Sequence, residues 1–181
     1  MADKEKVGRK ILVIGGARSG KSNYAQSLAK SLGQNVLFIA TSEPLDNEMK
    51  TRIKQHKRNR PRTWTTLELS HDIAGSFSMY NNSEVILIDC ITLLVANIIG
   101  DRPEPNQAEA QVLQETNSII NMMNMLTAHF IIISNEVGLG IVPDNKLARI
   151  YRDLLGKVNQ LLAQNVDEVY FMVAGLSLRI K

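Results

Sequence analysis

Eight consecutive residues near the start of the chain have the types needed to hold a polyphosphate. Residues 15–22 read GGARSGKS and fit the pattern GxxxxGK(S/T) at every fixed position. Gly15 and Gly20 permit backbone torsions that turn several N–H groups toward one anion. Lys21 is long enough to reach the β- and γ-phosphates, and the hydroxyl of Ser22 suits Mg²⁺. The sequence therefore predicts a nucleotide site at Gly15, Gly16, Ala17, Arg18, Ser19, Gly20, Lys21 and Ser22.

An acidic residue at the end of an apolar run is the second candidate. Residues 85–89 read VILID, a continuous apolar segment typical of a buried strand, and Asp89 ends it. In an open parallel sheet, ligands bind at the carboxyl ends of the strands, where residues 15–22 would also lie. Asp89 would then bind the nucleotide and share Mg²⁺ with Ser22. The alternative is that Asp89 caps a helix that begins at Cys90.

The positive charge of the chain is concentrated in one segment. The formal net charge is +3, yet residues 50–62 alone hold seven bases and no acid. Outside this segment 14 bases stand against 18 acids, so the rest of the chain is net acidic. Such a cluster suits the phosphates of a nucleotide or of a nucleic-acid backbone. It is also common on a solvated helix face, so charge alone leaves all three interpretations open.

A histidine lies inside this basic segment. In a helix over 46–58, the residues Met49, Ile53 and His56 fall on one face, at i, i+4 and i+7. A histidine in line with apolar residues is commonly a core side chain. The alternative is a nucleophile, since a neutral imidazole nitrogen can attack phosphorus and form a covalent phosphoramidate. The spacing does not decide between the two.

Apolar runs that alternate with helical patterns must position these side chains. Strands are predicted at 10–14, 36–40, 63–67, 85–89, 130–134, 169–174 and 178–180, and helices at 20–32, 46–58, 71–80, 91–99, 107–127 and 146–163, with a loop at 102–106. This alternation predicts an α/β fold with a mostly parallel sheet and helices on both faces. The turn at Gly175 is too short for a crossover, so the last strand should run antiparallel. Glu136, which follows a strand, is a further acid expected at the strand ends.

Composition places the chain among globular proteins. It has 181 residues, 44% of them hydrophobic and 22% charged, which argues against disorder and predicts one domain. Its single cysteine, Cys90, cannot form an internal disulfide. No run of about 18 apolar residues predicts a membrane span, and the charged first ten residues do not resemble a secretory signal. We expect a cytoplasmic protein with a disordered tail at 1–9 and one nucleotide-binding domain at 10–181.

Several segments taken together resemble one family of enzymes. It is the bifunctional adenosylcobinamide kinase / adenosylcobinamide-phosphate guanylyltransferase family of cobalamin biosynthesis, and the resemblance extends from Lys10 to Lys181. The phosphate-binding pattern alone is widespread, whereas its combination with the other segments is specific. The segments are GGARSGKS (15–22), IATSE (39–43), RIKQHKRNRP (52–61), TWTTLE (63–68), LIDCIT (87–92), NEVGLGIVP (135–143) and VAGLSLRIK (173–181).

The resemblance implies two reactions. A nucleoside triphosphate, ATP or GTP, would phosphorylate the hydroxyl of the aminopropanol arm of adenosylcobinamide, and GTP would then donate GMP to the new phosphate. In the family the second step passes through a guanylylated histidine, and the matching position is His56. We therefore expect His56 and Lys21 to be catalytic, with Mg²⁺ as cofactor. The same match implies nucleotide contacts at Ala40, Thr41, Ser42, Lys57, Arg58, Asn59, Arg60, Glu68 and Asp89.

Further expectations follow from the resemblance. It implies a P-loop fold with a RecA-like sheet and a homo-oligomer, a trimer as in family members. Glu68 suits guanine, because a carboxylate can accept from both the ring N–H and the amino group, which adenine does not offer together. Some relatives have two adjacent histidines where this chain has Gln55 and His56. That difference leaves one candidate nucleophile in the segment.

Two alternatives remain open at this point. A P-loop kinase or guanylyltransferase with only one of the two steps would keep the phosphate loop, and a pure kinase would not need His56. A nucleic-acid-binding ATPase could use residues 50–62 as a backbone contact. Against it, the segment holds no aromatic residue on which bases could stack. We therefore expect corrinoid substrates and no nucleic-acid partner.

Overall fold

A computed structural model of the protein describes residues 8–44, 46–79, 82–100 and 105–181. The strands in these ranges are β1 (Lys10–Gly15), β2 (Val36–Ala40), β3 (Thr65–Glu68), β4 (Val85–Asp89), β5 (His129–Asn135), β6 (Glu168–Val173) and β7 (Leu176–Arg179). The helices are α1 (Lys21–Leu32), α2 (Asn47–Asn59), α3 (Ile91–Ile99), α4 (Pro105–Met125) and α5 (Lys146–Asn165), with a short 3₁₀ helix at Ala74–Met79. No helix within the described ranges is long and apolar enough to cross a membrane.

The strands form one sheet whose order brings the predicted site residues to one edge. The order is β3-β2-β4-β5-β1-β6-β7, and the neighbouring strands are parallel except for β6 and β7. At the carboxyl edge, Gly15 is level with Asn135, and Ala40 is level with Asp89. The expected P-loop type α/β fold, with a mostly parallel sheet and an antiparallel C-terminal strand, is confirmed.

Two hydrophobic cores cover the two faces of the sheet, because side chains alternate along each strand. On β1, Leu12 belongs to the larger core, which includes residues of α3, α4 and α5. The next residue, Val13, packs on the other face with Ala25 and Ala29 of α1. Central strands covered on both faces are apolar throughout, which explains the continuous runs in the sequence. This packing fixes the start of α1 relative to the strand ends.

Except for the segment 71–80, the predicted helices agree with the structure to within two residues at each end. α4 begins at Pro105 rather than at 107. Proline is tolerated at the first position of a helix, because the N–H that it lacks would have no partner within the helix there. Residues 101–104 of the predicted loop lie outside the described part of the chain. The segment 71–80 is not an α-helix: Asp72 has a left-handed φ of 50°, and only a 3₁₀ helix follows. Its last residue, Tyr80, is also outside the described ranges.

Two strand starts differ from the prediction by two residues, and the other strand bounds agree within one residue. β3 begins at Thr65 because the preceding N–H, that of Trp64, donates to the carbonyl of Pro61 in a turn. β7 begins at Leu176 rather than at 178. The two residues before it have φ of 50° and 83°, the conformation of a two-residue hairpin turn that lets pairing start at once.

The predicted tail at 1–9 falls largely outside the described residues, which begin at Gly8. Gly8 is buried, and a Cβ there would lie 2.0 Å from the carbonyl oxygen of Ala128. The backbone N–H of Arg9 donates to Nδ1 of His129 at 2.9 Å, and its guanidinium pairs with Glu168 at 2.6 Å. Residues 8 and 9 are therefore packed against the domain.

Candidate active site

The loop between β1 and α1 is packed closely against the C-terminal hairpin. A Cβ at Gly15 would lie 2.5 Å from the carbonyl oxygen of Met172. A Cβ at Gly20 would lie 3.1 Å from Cα of Gly175, and Gly20 also has a φ of +95°. Side chains rarely adopt that left-handed torsion. Glycine is thus required at both positions, by space at Gly15 and by torsion and space at Gly20.

Lys21, the first residue of α1, holds its amine over this loop. Its Nζ donates to the carbonyl oxygens of Gly15 at 3.0 Å and Gly16 at 2.6 Å, and lies 3.4 Å from Oγ of Ser19. Lys21 is buried, and it lines the pocket. A phosphate held by the loop N–H groups at the start of α1 would therefore meet an ammonium group already in position.

An open pocket of about 880 Å³ lies at the carboxyl edge of the sheet beside the loop. It brings together residues that are far apart in sequence, on the loop, α1, α2, β4 and β5. Ten of the residues predicted from the sequence line it: Ala17, Arg18, Ser19, Gly20, Lys21, Ser22, Ser42, His56, Arg60 and Asp89. Both predicted catalytic side chains are among them.

His56 lies on the side of α2 that faces this pocket. Met49, Ile53 and His56 lie on one face of α2, and all three line the pocket together with Arg60, which directly follows the helix. The helix is fixed at its start by the carboxylate of Asp46, which accepts from the N–H of Met49 at 2.6 Å. The shared face of these residues therefore contacts the pocket and not the hydrophobic core. His56 itself is half-buried, with one wall of the pocket behind it.

Asp89 lies across the pocket with a buried carboxylate. Burial raises its pKa above the usual value, while the nearby His56 and a hydrogen bond from Ser22 act in the opposite direction. Its Oδ2 atom is buried without a hydrogen-bond partner among the described residues. Cys90, and not Asp89, occupies the N-cap position of α3. The capping interpretation of Asp89 is therefore wrong.

The pair Ser22 and Asp89 fits the requirements of Mg²⁺. A hydroxyl and an unpartnered carboxylate oxygen are hard oxygen ligands, and Mg²⁺ bound with a nucleotide takes only one or two protein groups beside phosphates and water. Within the described ranges, no group of three or more His, Cys, Asp and Glu side chains is arranged to hold a metal ion. The donor set therefore suits an ion that enters with a triphosphate.

Arg60 is the one described cation of the basic segment 50–62 that lines the pocket. Its guanidinium lies 3.9 Å from the centre of the Phe38 ring, and its Nε and Nη1 atoms are buried without a hydrogen-bond partner in the described structure. Burial lowers its pKa, whereas the charges of Asp89 and Glu68 oppose that shift. Buried guanidinium donors beside a pocket suit the oxygens of a phosphate.

Apart from Asn59, the remaining predicted nucleotide residues do not line the pocket. Lys57 and Glu68 form an ion pair with both side chains about half exposed, and Arg58 is exposed. Thr41 is fully buried and accepts from the N–H of Cys90 at 2.8 Å, so it braces the end of β4. Gly15 and Gly16 contribute carbonyl oxygens to Lys21, and Ala40 ends β2 behind the pocket. The side chain of Asn59 is outside the described part.

Sequence reasoning missed part of the pocket wall. Asn135 lines the pocket. Two hydrogen bonds hold its backbone: its N–H donates to Oγ1 of Thr92 at 2.7 Å, and its carbonyl accepts from the side chain of Asn159 at 3.0 Å. Its place at the end of a strand was the available signal. Glu136, the residue singled out there, donates its N–H to the carbonyl of Gly15 and does not line the pocket.

The fold and the site define a nucleotide-binding α/β protein with a P-loop. The chain belongs to the cobinamide kinase / cobinamide phosphate guanyltransferase family, whose sequence profile matches residues 11–180. The family resemblance drawn from the sequence is thereby confirmed, over nearly the whole chain.

Two similar proteins extend this assignment. The bifunctional adenosylcobalamin biosynthesis protein CobU of Escherichia coli (strain K12) is 41% identical over 180 residues, covering 94% of this chain and 99% of that protein. The bifunctional adenosylcobalamin biosynthesis protein CobP of Pseudomonas aeruginosa is 38% identical over 172 residues, covering 94% of this chain and 96% of that protein. Both relatives are named as bifunctional proteins, which agrees with the bifunctional interpretation and not with a protein of one activity.

Proposed function

We propose that the protein phosphorylates adenosylcobinamide with ATP or GTP and then transfers GMP from GTP to adenosylcobinamide phosphate through guanylylated His56. The product is adenosylcobinamide-GDP. The observation that carries the proposal is the presence of His56 in the same pocket as the phosphate loop, Lys21 and Asp89. A kinase requires only the loop, whereas the imidazole gives the pocket a nucleophile of its own.

In the kinase step, the hydroxyl oxygen of the acceptor attacks the γ-phosphorus and the bond to the β-phosphate oxygen breaks. The hydroxyl proton is released as the new P–O bond forms, and a nucleoside diphosphate leaves. Lys21 and the loop N–H groups hold the β- and γ-phosphates, so the work of the protein is positioning and stabilisation of charge. Arg60 adds a second cation on the α2 side of the pocket.

In the guanylyl step, a ring nitrogen of His56 attacks the α-phosphorus of GTP and pyrophosphate leaves. A phosphate oxygen of adenosylcobinamide phosphate then attacks the same phosphorus. The P–N bond breaks, the imidazole is restored, and the acceptor carries the GMP group. Arg60, which directly follows α2, lines the pocket together with His56, and this suits stabilisation of negative charge at that phosphorus.

We propose Ser22 and Asp89 as the protein ligands of Mg²⁺. The ion supplies positive charge beside the phosphate oxygens. Glu68 is proposed to accept from the guanine ring N–H and amino group, with Lys57 holding the carboxylate in place through their ion pair. Ala40, Thr41, Ser42, Lys57, Arg58 and Asn59 are proposed to complete the nucleotide site, which implies that α2 and the ends of β2 and β3 enclose the bound GTP.

Covalent labelling tests the proposed function. With Mg²⁺ and GTP labelled at the α-phosphate, the protein should acquire an acid-labile, base-stable GMP adduct, and His56→Ala should abolish it. His71→Ala is the matched control, because His71 is exposed and does not line the pocket. Lys21→Ala should depress both steps if one loop serves both. An adduct of undiminished yield in His56→Ala would exclude His56 as the nucleophile.

We further propose that residues 10–181 act as one domain in a cytoplasmic homo-oligomer, with the trimer favoured by the resemblance and without a nucleic-acid partner. Support comes from the C-terminal hairpin, where Val173, Leu176, Leu178 and Ile180 are each more than half exposed. β7 is an edge strand, and exposed apolar edges favour pairing with another chain. Leu176→Lys with Leu178→Lys should lower the native mass, whereas Met125→Lys, at the far end of α4, should not.

A further inference from the structure

The loop of residues 136–145, between β5 and α5, carries an exposed apolar tip. Leu139 is 81% exposed, Ile141 97% and Val142 57%. No charged residue lies between Val137 and Pro143. Three large apolar side chains presented to solvent on one short loop are uncommon unless something covers them.

This loop is held at both ends. At its start, the N–H of Glu136 donates to the carbonyl of Gly15 at 3.0 Å, which ties the loop to the beginning of the phosphate loop. At its end, Asn145 caps α5, and the guanidinium of Arg149 donates to the carbonyls of Pro143 and Asp144 at 2.9 and 2.6 Å. The apolar tip is therefore presented from a fixed base.

The tip lies within reach of the pocket. Asn135, which lines the pocket, is four residues before Leu139 and six before Ile141. An extended chain spans at most about 3.5 Å per residue. The Cα atoms of Leu139 and Ile141 therefore lie within about 14 Å and 21 Å of Asn135, respectively. The tip therefore lies no further from the pocket wall than these two distances.

The acceptor of the proposed reaction is too large to share the pocket with a nucleotide. A pocket of about 880 Å³ is in the range that holds one drug-sized ligand. Only the aminopropanol arm of adenosylcobinamide has to reach the phosphates. Its corrin macrocycle, which has an apolar methylated rim and uncharged amide side chains, must then lie outside, against a surface without net charge.

We propose that the tip formed by Leu139, Ile141 and Val142 is the docking surface for the corrin macrocycle of the acceptor. The proposal rests on the proposed function for the identity of the acceptor. Gly138 and Gly140 flank Leu139, and a Cβ at Gly140 would meet nothing within 4 Å, so this part of the tip is open to a ligand. The contact with a second copy of the chain is proposed at the C-terminal hairpin instead, because the hairpin has an edge strand as well as exposed apolar side chains.

Direct binding of the corrinoid tests this inference without relying on catalysis. The combined variant Leu139→Ser, Ile141→Ser, Val142→Ser is compared with wild type and with Met125→Ser, whose side chain is 83% exposed away from the pocket. Equilibrium dialysis with adenosylcobinamide, detected by its visible absorbance, gives the Kd. We expect the triple variant to raise this Kd at least about tenfold, from loss of apolar burial, and Met125→Ser to leave it unchanged.

Two further measurements separate the competing explanations. A small acceptor, N-acetyl-1-amino-2-propanol, carries the reactive arm without the macrocycle and should be phosphorylated equally by wild type and triple variant. Native mass by light scattering should also be the same. An unchanged corrinoid Kd overturns the inference, and so does a lower native mass, which would make the tip a contact between copies. Corrinoid binding without any GMP adduct on the wild type would overturn the proposed function alone.

Discussion

The backbone N–H of Gly175 donates to the carbonyl oxygen of Ser19 at 3.0 Å. This bond joins the turn of the C-terminal hairpin to the phosphate loop, although the two residues are 156 positions apart in the chain. The hairpin of β6 and β7 therefore supports the phosphate loop, whose residues 17–20 line the pocket. Nucleotide binding should consequently depend on how closely the hairpin and the loop approach.

Gly20→Ala should weaken this support. The new Cβ would lie 3.1 Å from Cα of Gly175, and the residue would need a left-handed φ of +95°. A side chain in that region costs about 1–2 kcal/mol, so we expect a lower free energy of unfolding and a Kd for ATP raised about tenfold or more. Chemical denaturation and isothermal titration measure the two effects.

Gly156→Ala is the matched control for this substitution. Gly156 lies inside α5 with nothing within 4 Å of its added Cβ. Alanine is favoured over glycine in a helix by about 0.5–1 kcal/mol, so the variant should be more stable than wild type with unchanged ATP affinity. Equal ATP affinity in Gly20→Ala would show that the loop does not depend on its contact with the hairpin.

Asp89→Asn should stabilise the ligand-free protein while weakening binding of the Mg²⁺-nucleotide. Burial raises the pKa of Asp89 in the folded state, so ionisation of this carboxyl opposes folding. Stability is lost as pH rises from the unfolded pKa through the folded pKa, and the neutral amide avoids that loss. We expect a Tm about 2–4 °C higher at pH 8, with a difference that shrinks below about pH 4.

The control for the charge of Asp89 is Asp153→Asn. Asp153 is exposed and pairs with its neighbour Arg152 at 3.0 Å, so its removal should change Tm little. Thermal unfolding across the pH range, with and without Mg²⁺ and ATP, separates stability from binding. A lower Tm for Asp89→Asn at pH 8 would show that the hydrogen bond from Ser22 and the nearby positive charges outweigh the cost of burying the carboxylate.

Arg60→Lys tests whether the guanidinium donors contact phosphate. The substitution keeps the positive charge but removes the planar fork, whose Nε and Nη1 are buried without a hydrogen-bond partner among the described residues. We expect the Kd for GTP to rise about tenfold, since charge-assisted bidentate contacts are the stronger class of hydrogen bond. Arg62→Lys, at an exposed position, should leave the Kd unchanged. If both variants bind GTP like wild type, Arg60 serves only to pack on Phe38.

Much of this site could be predicted because its signals are local. The phosphate loop needs glycine and lysine at fixed spacing, and each central strand is a continuous apolar run, so residues 15–22 and Asp89 were identified from the sequence. The orientation of α2 could not be predicted from the sequence. Met49, Ile53 and His56 share one helix face, and their spacing is the same whether that face contacts the core or a pocket. Asn135 was missed for a related reason: its place beside Gly15 depends on strand order, which the sequence does not encode locally.

Glu68→Gln tests the proposed recognition of guanine. Glu68 pairs with Lys57, and both remain about half exposed, so the carboxylate is open to a base at the end of β3. A neutral amide accepts through one oxygen only and presents a donor to the guanine amino group. Hydrogen bonds to charged groups are worth about 1.5–3 kcal/mol, so we expect a Kd for GTP raised tenfold or more, with the Kd for ATP unchanged.

Glu109→Gln provides the comparison, because Glu109 also forms an ion pair with a lysine, Lys157, on helices away from the pocket. Loss of that ion pair should change neither the Kd for GTP nor the Kd for ATP, since an exposed ion pair contributes little free energy and this one does not contact the pocket. The decisive quantity is the ratio of the GTP and ATP dissociation constants. If Glu68→Gln shifts both constants equally, the carboxylate acts through Lys57 on the phosphates, and another group must read the base.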